Sequence, residues 1–367
     1  MANDELDQGV RAMQMRGGTS KGLFFVADDL PTDVVSRDAF LLGVMGSPDE
    51  RQIDGVGGGH PLTSKVAVVC ASAAAEADLD YLFLQVSVDE ALVSDRQNCG
   101  NMLAGVAPFA LERGLVAMPS GDHAELTIRL LNTGGIATAT VQLQQGRVTY
   151  SGDTSISGVP GTAAAIRLDF DDTAGSSCGA LLPTGNVVDT IQGVDVTLID
   201  NGMPVVVMRA AAMGVTGTES PAELEANAPL RQKLEAIRLE AGPLMGLGDV
   251  ADTTVPKLTM VSAPVAGGAV NTRTFIPHRC HDAIGVLGAV SVATACRLPG
   301  SPGHQIAAVN ESGENVVVEH PTGMFEAAIT LRFEGDQPIA ERSGIIRTAR
   351  KLMDGVVFPA TELFPSN

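Results

Sequence analysis

The chain has 367 residues, 45% hydrophobic and 18% charged, enough for two domains of ordinary size, each with its own core. Its formal net charge of −19, from 24 Lys plus Arg against 43 Asp plus Glu, excludes nucleic acid and anionic membrane surfaces as partners. A small anion is repelled as well, so any site for one must gather its own arginines, lysines and backbone N–H groups.

Gly 41 beside Trp 0 and Tyr 2 reads as many tight turns around small-residue packing, which suits a strand-rich α+β fold. The five cysteines (Cys70, Cys99, Cys178, Cys280, Cys296) are odd in number. The start, Met1 to Val10, is polar with no apolar signal region, and no apolar run approaches the roughly 20 residues that span a bilayer. The expectation is a cytoplasmic protein with free thiols.

In chain order, a strand from Val10 to Met15 leads into Arg16-Gly17-Gly18-Thr19-Ser20-Lys21-Gly22 and a second strand, Leu23 to Val26. A helix is expected near Arg37 to Met45, then a glycine-rich loop, Asp54 to His60. Strands follow at Val66 to Cys70, headed by Lys65, and at Tyr81 to Val88. Asn98-Cys99-Gly100-Asn101 precedes one buried helix, Met102 to Arg113, with Gly114 as its stop. Strands resume at Glu125–Leu131, Ile136–Leu143 and Arg147–Tyr150, and a charged, amphipathic surface helix spans Ala222–Glu240.

The second half repeats this order. Lys257 heads the strand Leu258–Ser262 as Lys65 heads its own, and Val270–Ile276 follows as Tyr81–Val88 does. Cys280-His281-Asp282 takes the place of Asn98-Cys99-Gly100, and Ala283–Cys296 is a second buried helix. The expectation is two similar domains, 1–160 with 340–367 and 161–339. Each wraps a mostly antiparallel sheet around a central helix, with the active site in a cleft between them.

Cys99 at a helix start meets the positive end of the dipole, and Gly100 lets a ligand approach the backbone. Its polar neighbours favour function over a buried core thiol. Lys65 reads either as a solvated strand-end lysine or as a desolvated base, led by Ser64 into an apolar strand. Neither glycine-rich segment is a nucleotide loop: Ser20 stands where a phosphate loop needs glycine, and His60 where a dinucleotide loop needs its last one. Arg16 to Lys21 could instead bind carboxylates through amides, hydroxyls and two cations, or serve as a structural turn. His278, Cys280 and His281 lack a second cluster that would complete a metal site, so no metal is expected. Cys280 and His281 are read as opening the second helix and facing Cys99, with Arg273 and Arg279 as carboxylate clamps. Cys70 and Cys296 read as core, and Cys178 has no assignment.

Arg16-Gly-Gly-Thr-Ser-Lys-Gly22, Leu62-Thr-Ser-Lys-Val66, Gln97-Asn-Cys-Gly-Asn101 and Asn201-Gly-Met-Pro204 resemble the PrpF family of isomerases, whose fold is similar to that of diaminopimelate epimerase. Met45-Gly-Ser-Pro-Asp, Arg51-Gln-Ile-Asp-Gly55, Ala180-Leu-Leu-Pro-Thr-Gly-Asn186 and Phe275-Ile-Pro-His-Arg-Cys-His281 look most like members acting on 4-oxalomesaconate, in bacterial breakdown of gallate and lignin-derived protocatechuate. The resemblance implies a cofactor-free 1,3-allylic proton shift on a small tricarboxylate, with Lys65 as base and Cys99 as acid. Aconitate and methylaconitate are the alternative substrates, and a non-catalytic polycarboxylate-binding protein is the alternative of another class. Substrate-binding positions are then Arg16, Gly18, Thr19, Ser20, Lys21, Ser64, Asn98, Gly100, Asn101, Met203, Arg273, His278, Arg279 and His281. At the matching place the second domain offers Cys280-His281-Asp282 rather than a clear Cys-Gly pair, so a lysine–cysteine shift fits better than two-thiol racemisation. A homodimer is compatible with this reading.

Overall fold

The structure is a computed structural model that describes residues 9–96, 98–310, 313–335 and 337–360. The polar N-terminus through Gln8, and Gln97 of the Gln-Asn-Cys-Gly-Asn motif, lie outside the described residues. The chain divides into two units, Met1–Leu168 with Arg347–Asn367, and Asp169–Ile346.

In the first unit, β1 (Val10–Gly17) and β2 (Ser20–Val26) form a hairpin, and helix α1 (Val34–Met45) follows. Next come β3 (Lys65–Ala71), β4 (Leu79–Val86) and the short β5 (Val93–Ser94). Helices α2 (Gly100–Leu103) and α3 (Val106–Arg113) precede β6 (His123–Leu130), β7 (Ile136–Gln144), β8 (Arg147–Val148) and β9 (Ala165–Phe170), which runs across the unit boundary. The single helix expected over Met102–Arg113 is thus interrupted. Pro108 has no N–H for the Ala104 carbonyl, and its ring crowds that residue, so the helix breaks before Val106.

Pairing is antiparallel for β1–β2, parallel for β2–β3, antiparallel for β3–β4, parallel for β4–β6 and antiparallel for β6–β7. Side chains alternate across this sheet, and both faces are buried. One face carries Val10, Ala12, Leu23, Phe25, Val66, Val68 and Leu84, packed under Phe40, Leu41 and Val44 of α1. The other carries Met13, Met15, Phe24, Ala67 and Phe83, all fully buried, and Phe24 meets Phe109 of α3 at 5.7 Å between ring centres. Each of these valine, leucine, phenylalanine and methionine side chains contributes about 1.5–3 kcal/mol by leaving water. This second face also positions the candidate site.

The second unit contains β10 (Asp189–Ile191), β11 (Val194–Asp200), β12 (Pro204–Arg209), helices α4 (Pro221–Ala226) and α5 (Ala228–Leu244), β13 (Lys257–Ser262), β14 (Val270–Phe275), helix α6 (Val286–Arg297), β15 (Asn315–His320) and β16 (Gly323–Glu334). The expected helix over Ala222–Glu240 is two. Asn227 ends α4 and its side chain accepts from Leu230 N–H, while Pro229 sits in the first turn of α5. Pairing runs antiparallel for β11–β12, parallel for β12–β13, antiparallel for β13–β14, parallel for β14–β15 and antiparallel for β15–β16. This is the order of the first unit. Strand β17 (Gln337–Val357) pairs with β16 through its first half and with β1 through its second. No helix among the described residues is long and apolar enough to cross a membrane.

Candidate active site

Lys65 begins β3 opposite Gly22 of β2 and Gln85 of β4, so its side chain points to the face that carries Phe24 and Phe83. It is only 6% exposed, its ammonium stands 5.0 Å over the Phe83 ring, and Nζ donates to Gln85 Oε1 at 2.6 Å. Gln85 is fixed in turn, since its amide nitrogen donates to the carbonyl of Ser64 at 2.8 Å and of Pro61 at 3.1 Å. Burial lowers the proton affinity of Lys65, and the neighbouring Cys99 charge works against that shift. The solvated strand-end reading of Lys65 is therefore set aside.

Cys99 is the N-cap of α2, half-buried, with a free thiol. Its carbonyl accepts from Leu103 N–H at 2.9 Å and from the buried Tyr81 hydroxyl at 3.4 Å. The hairpin tip Gly17–Gly18 rests on this helix start. A Cβ on Gly17 would lie 2.2 Å from the Asn101 carbonyl, and one on Gly18 would lie 2.1 Å from Asn101 Oδ1, so only glycine fits. Asn101 Nδ2 donates to Thr19 Oγ1 at 3.0 Å and ties the two elements together.

Ser20 lies opposite Gly17 and therefore shares the face that meets α2. Its hydroxyl is buried with no hydrogen-bond partner, and so is the amide oxygen of Asn98, whose nitrogen donates to Thr133 at 2.6 Å. Buried polar atoms are rarely left unpaired; Asn98 directly precedes Cys99 in the chain, and Ser20 shares the sheet face that meets the helix Cys99 caps. Ser64 is structural: its hydroxyl accepts from Gln52 Nε2 at 2.7 Å, and Gln52 also reaches Ser47 Oγ and the Gly59 N–H.

The same register divides the stretch Arg16 to Lys21, read either as carboxylate-binding or as a structural turn, between two faces. Arg16 and Lys21 pair with each other and extend to the face opposite Ser20, Lys65 and Gln85. Arg16 further spends two bonds on its own turn, to the carbonyls of Gly18 (2.8 Å) and Thr348 (3.0 Å). The cation that does stand by Cys99 is Arg347, which the sequence reading missed. It is 8% exposed, burial lowers its pKa to about 10, and the Cys99 charge opposes that shift. Arg347 lies within a continuous buried run of β17, 343–349, which shows no alternation that would single out one buried arginine.

In the second unit the hairpin tip is Asn201-Gly202-Met203. It occupies the place that Gly17–Ser20 holds in the first, and Gly202 likewise abuts its helix, at Leu287 of α6. Asn201 is fully buried and bonded to Thr173, Thr294 and Ser343, while the Met203 carbonyl accepts from Ser291. The expectation that Cys280 and His281 open the second helix is overturned. The N-cap of α6 is Gly285, which stands where Cys99 stands in the first unit. Cys280 is held back by a β-bridge to Phe275 and a turn closed by Ile276 N–H to the Arg279 carbonyl, and it packs into the core. Burial pushes its thiol up to about 11.

Arg273 is buried on β14 and donates to the Glu219 and Thr272 carbonyls and to Asn271 Oδ1. His281 accepts from Ala283 N–H at 2.8 Å, His278 lies 3.6 Å from Glu235, and Arg279 is exposed. Cys296 is buried as expected, whereas Cys70 is half-buried near the end of β3.

A buried lysine and a free thiol beside an arginine are groups able to take up and release protons. Residues 8–359 match the family model described as PrpF protein, and the chain belongs to this family. It is 60% identical over 347 residues to the (4E)-oxalomesaconate Delta-isomerase of Novosphingobium sp. (strain KA1), covering 94% of this chain and 96% of that one. It is 56% identical over 349 residues to the 4-oxalomesaconate tautomerase of Pseudomonas putida, covering 95% of each. Among solved structures it is similar to methylitaconate-delta-isomerase, with a TM-score of 0.85, 34% identity and 97% of both chains covered.

Proposed function

We propose that the chain is an isomerase that moves a proton, and with it a double bond, on 4-oxalomesaconate. The observation that carries this reading is the desolvated Lys65, fixed by Gln85 and electrostatically linked to Cys99 at the helix start. Neutral Lys65 takes a proton from the methylene beside the keto group, and the dienolate spreads its charge over a conjugated chain of carbon and oxygen. Cys99, as thiol, returns a proton at the far carbon. Each step moves one proton, so the product is an isomer and no electrons leave the substrate. Arg347 and the N–H groups that open α2 stand where they stabilise the developing charge. The Ser20 hydroxyl and Asn98 amide oxygen supply hydrogen bonds at the substrate. The repeated strand order supports two epimerase-like domains, and Gly285 at the second helix start supports a lysine–cysteine pair over two thiols.

The likeness to methylitaconate-delta-isomerase favours a second substrate reading, a related unsaturated polycarboxylate undergoing the same shift. Turnover of 4-oxalomesaconate by Lys65→Met and Cys99→Ala variants tests the assignment. Each should fall by roughly 10²–10⁴-fold while far-UV circular dichroism is unchanged. Near-normal turnover in both, with folding intact, removes the two residues from the mechanism.

A further inference from the structure

The register that sends Ser20 toward α2 sends its neighbours the other way. Lys21 lies directly opposite Arg16 across the β1–β2 pair, and Arg350 lies directly opposite Arg16 across β1–β17. Three cations therefore form one row on three adjacent strands, on the face away from Lys65. With strands about 4.8 Å apart, the row spans roughly 10 Å. Segment 150–163 closes over it, and the cavity so formed has a volume of about 730 Å³.

Arg16, Lys21, Arg350, Thr19 and Tyr150 line that cavity, Ser20 reaches its edge at the hairpin turn, and no Asp or Glu lines it. Glu112, which accepts from the Tyr150 hydroxyl at 3.0 Å, is itself paired with Lys351. Like charges placed directly opposite on a sheet destabilise it, and the Arg350 charge adds to burial in lowering the proton affinity of Arg16. In a chain of net charge −19, a cavity lined by three cations without an acid is built for an anion.

We propose that this cavity is a second anion site, separate from the Lys65–Cys99 face, and that it takes a small polycarboxylate. A row of about 10 Å is too long for one phosphate and fits carboxylates borne on a short carbon chain. Occupancy bears on catalysis through the hairpin, because Arg16 holds the Gly18 carbonyl and Gly18 rests on Asn101, two residues from Cys99.

The test is calorimetric titration of the full chain with propane-1,2,3-tricarboxylate, which has no double bond to move, and separately with inorganic phosphate. A binding event is expected that survives in Lys65→Met and weakens at least about tenfold in Arg350→Gln and in Lys21→Gln. Far-UV circular dichroism checks both variants, and either one that folds carries the comparison. The proposal is overturned by absence of binding to the unmodified chain, by equal binding in the folded variants, or by loss of binding in Lys65→Met. Phosphate binding as tight as that of the tricarboxylate marks a general anion site and overturns the polycarboxylate assignment. Turnover is measured apart from binding, so failure here leaves the isomerase reading to its own test.

Discussion

Lys65 begins a strand whose next four residues are all buried, and that run of apolar neighbours is what strips water from its ammonium. The consequence is a pH dependence. As the proposed base, Lys65 must be neutral to accept a proton, and burial holds its pKa below the ordinary 10.5. A rising limb of kcat/KM against pH, which reports groups of the free enzyme, should therefore have its midpoint below 10.5 and be absent in Lys65→Met. A midpoint at or above that value would contradict a desolvated lysine. The motif Thr-Ser-Lys followed by an apolar strand made Lys65 legible as a candidate, and the polar surroundings of Cys99 did the same. Arg347 and Tyr81 were not legible, because each is brought to Cys99 by pairings or packing between segments far apart in the sequence.

At the scale of elements, prolines explain where the expected helices differ from the observed ones. Pro108 divides the helix after Cys99, and Pro229 with Asn227 divides the one over Ala222–Glu240. Both signals were present in the sequence, and apolar periodicity hid them. The surface reading of α5 also gives way at one position. Arg238 is fully buried, forked onto Glu235 at 2.8 and 2.7 Å, and donates to the Val250, Ala251, Thr253 and Val255 carbonyls. Its guanidinium closes the loop that leads into β13. Arg238→Met leaves Glu235 and those carbonyls without their donor and should destabilise the fold by about 3–5 kcal/mol in urea unfolding. A loss under about 1 kcal/mol would show that the loop re-forms its hydrogen bonds elsewhere. The twenty-one residues of β17 escaped the sequence reading, since a continuous buried run at 343–349 between more exposed stretches shows no strand alternation.

Over the whole molecule, one succession of pairings occurs twice, but only one copy places a cysteine at its helix start. Lys257 heads β13 as Lys65 heads β3, and each lies beside the second strand of its hairpin, Lys257 opposite Val205 and Lys65 opposite Gly22. Yet the Lys257 ammonium donates to the Thr254 carbonyl at 2.6 Å, and Gly285 rather than a cysteine stands at the start of its helix. Lys257→Met should therefore leave turnover within a few-fold of the parent, whereas Lys65→Met loses it. Comparable loss in both would mean that the two halves act together in proton transfer. The repeated order was readable from the lysine-headed strands, but the position equivalent to Cys99 was not. A β-bridge and a tight turn delay the second helix by several residues, and neither leaves a mark in composition.

The most direct measurement is proton NMR of the purified protein acting on 4-oxalomesaconate in D₂O. The account predicts a migrated double bond with deuterium at the far carbon, and loss of both signals in Lys65→Met and Cys99→Ala. A substrate that binds but keeps its double bond and its carbon-bound protons would contradict it.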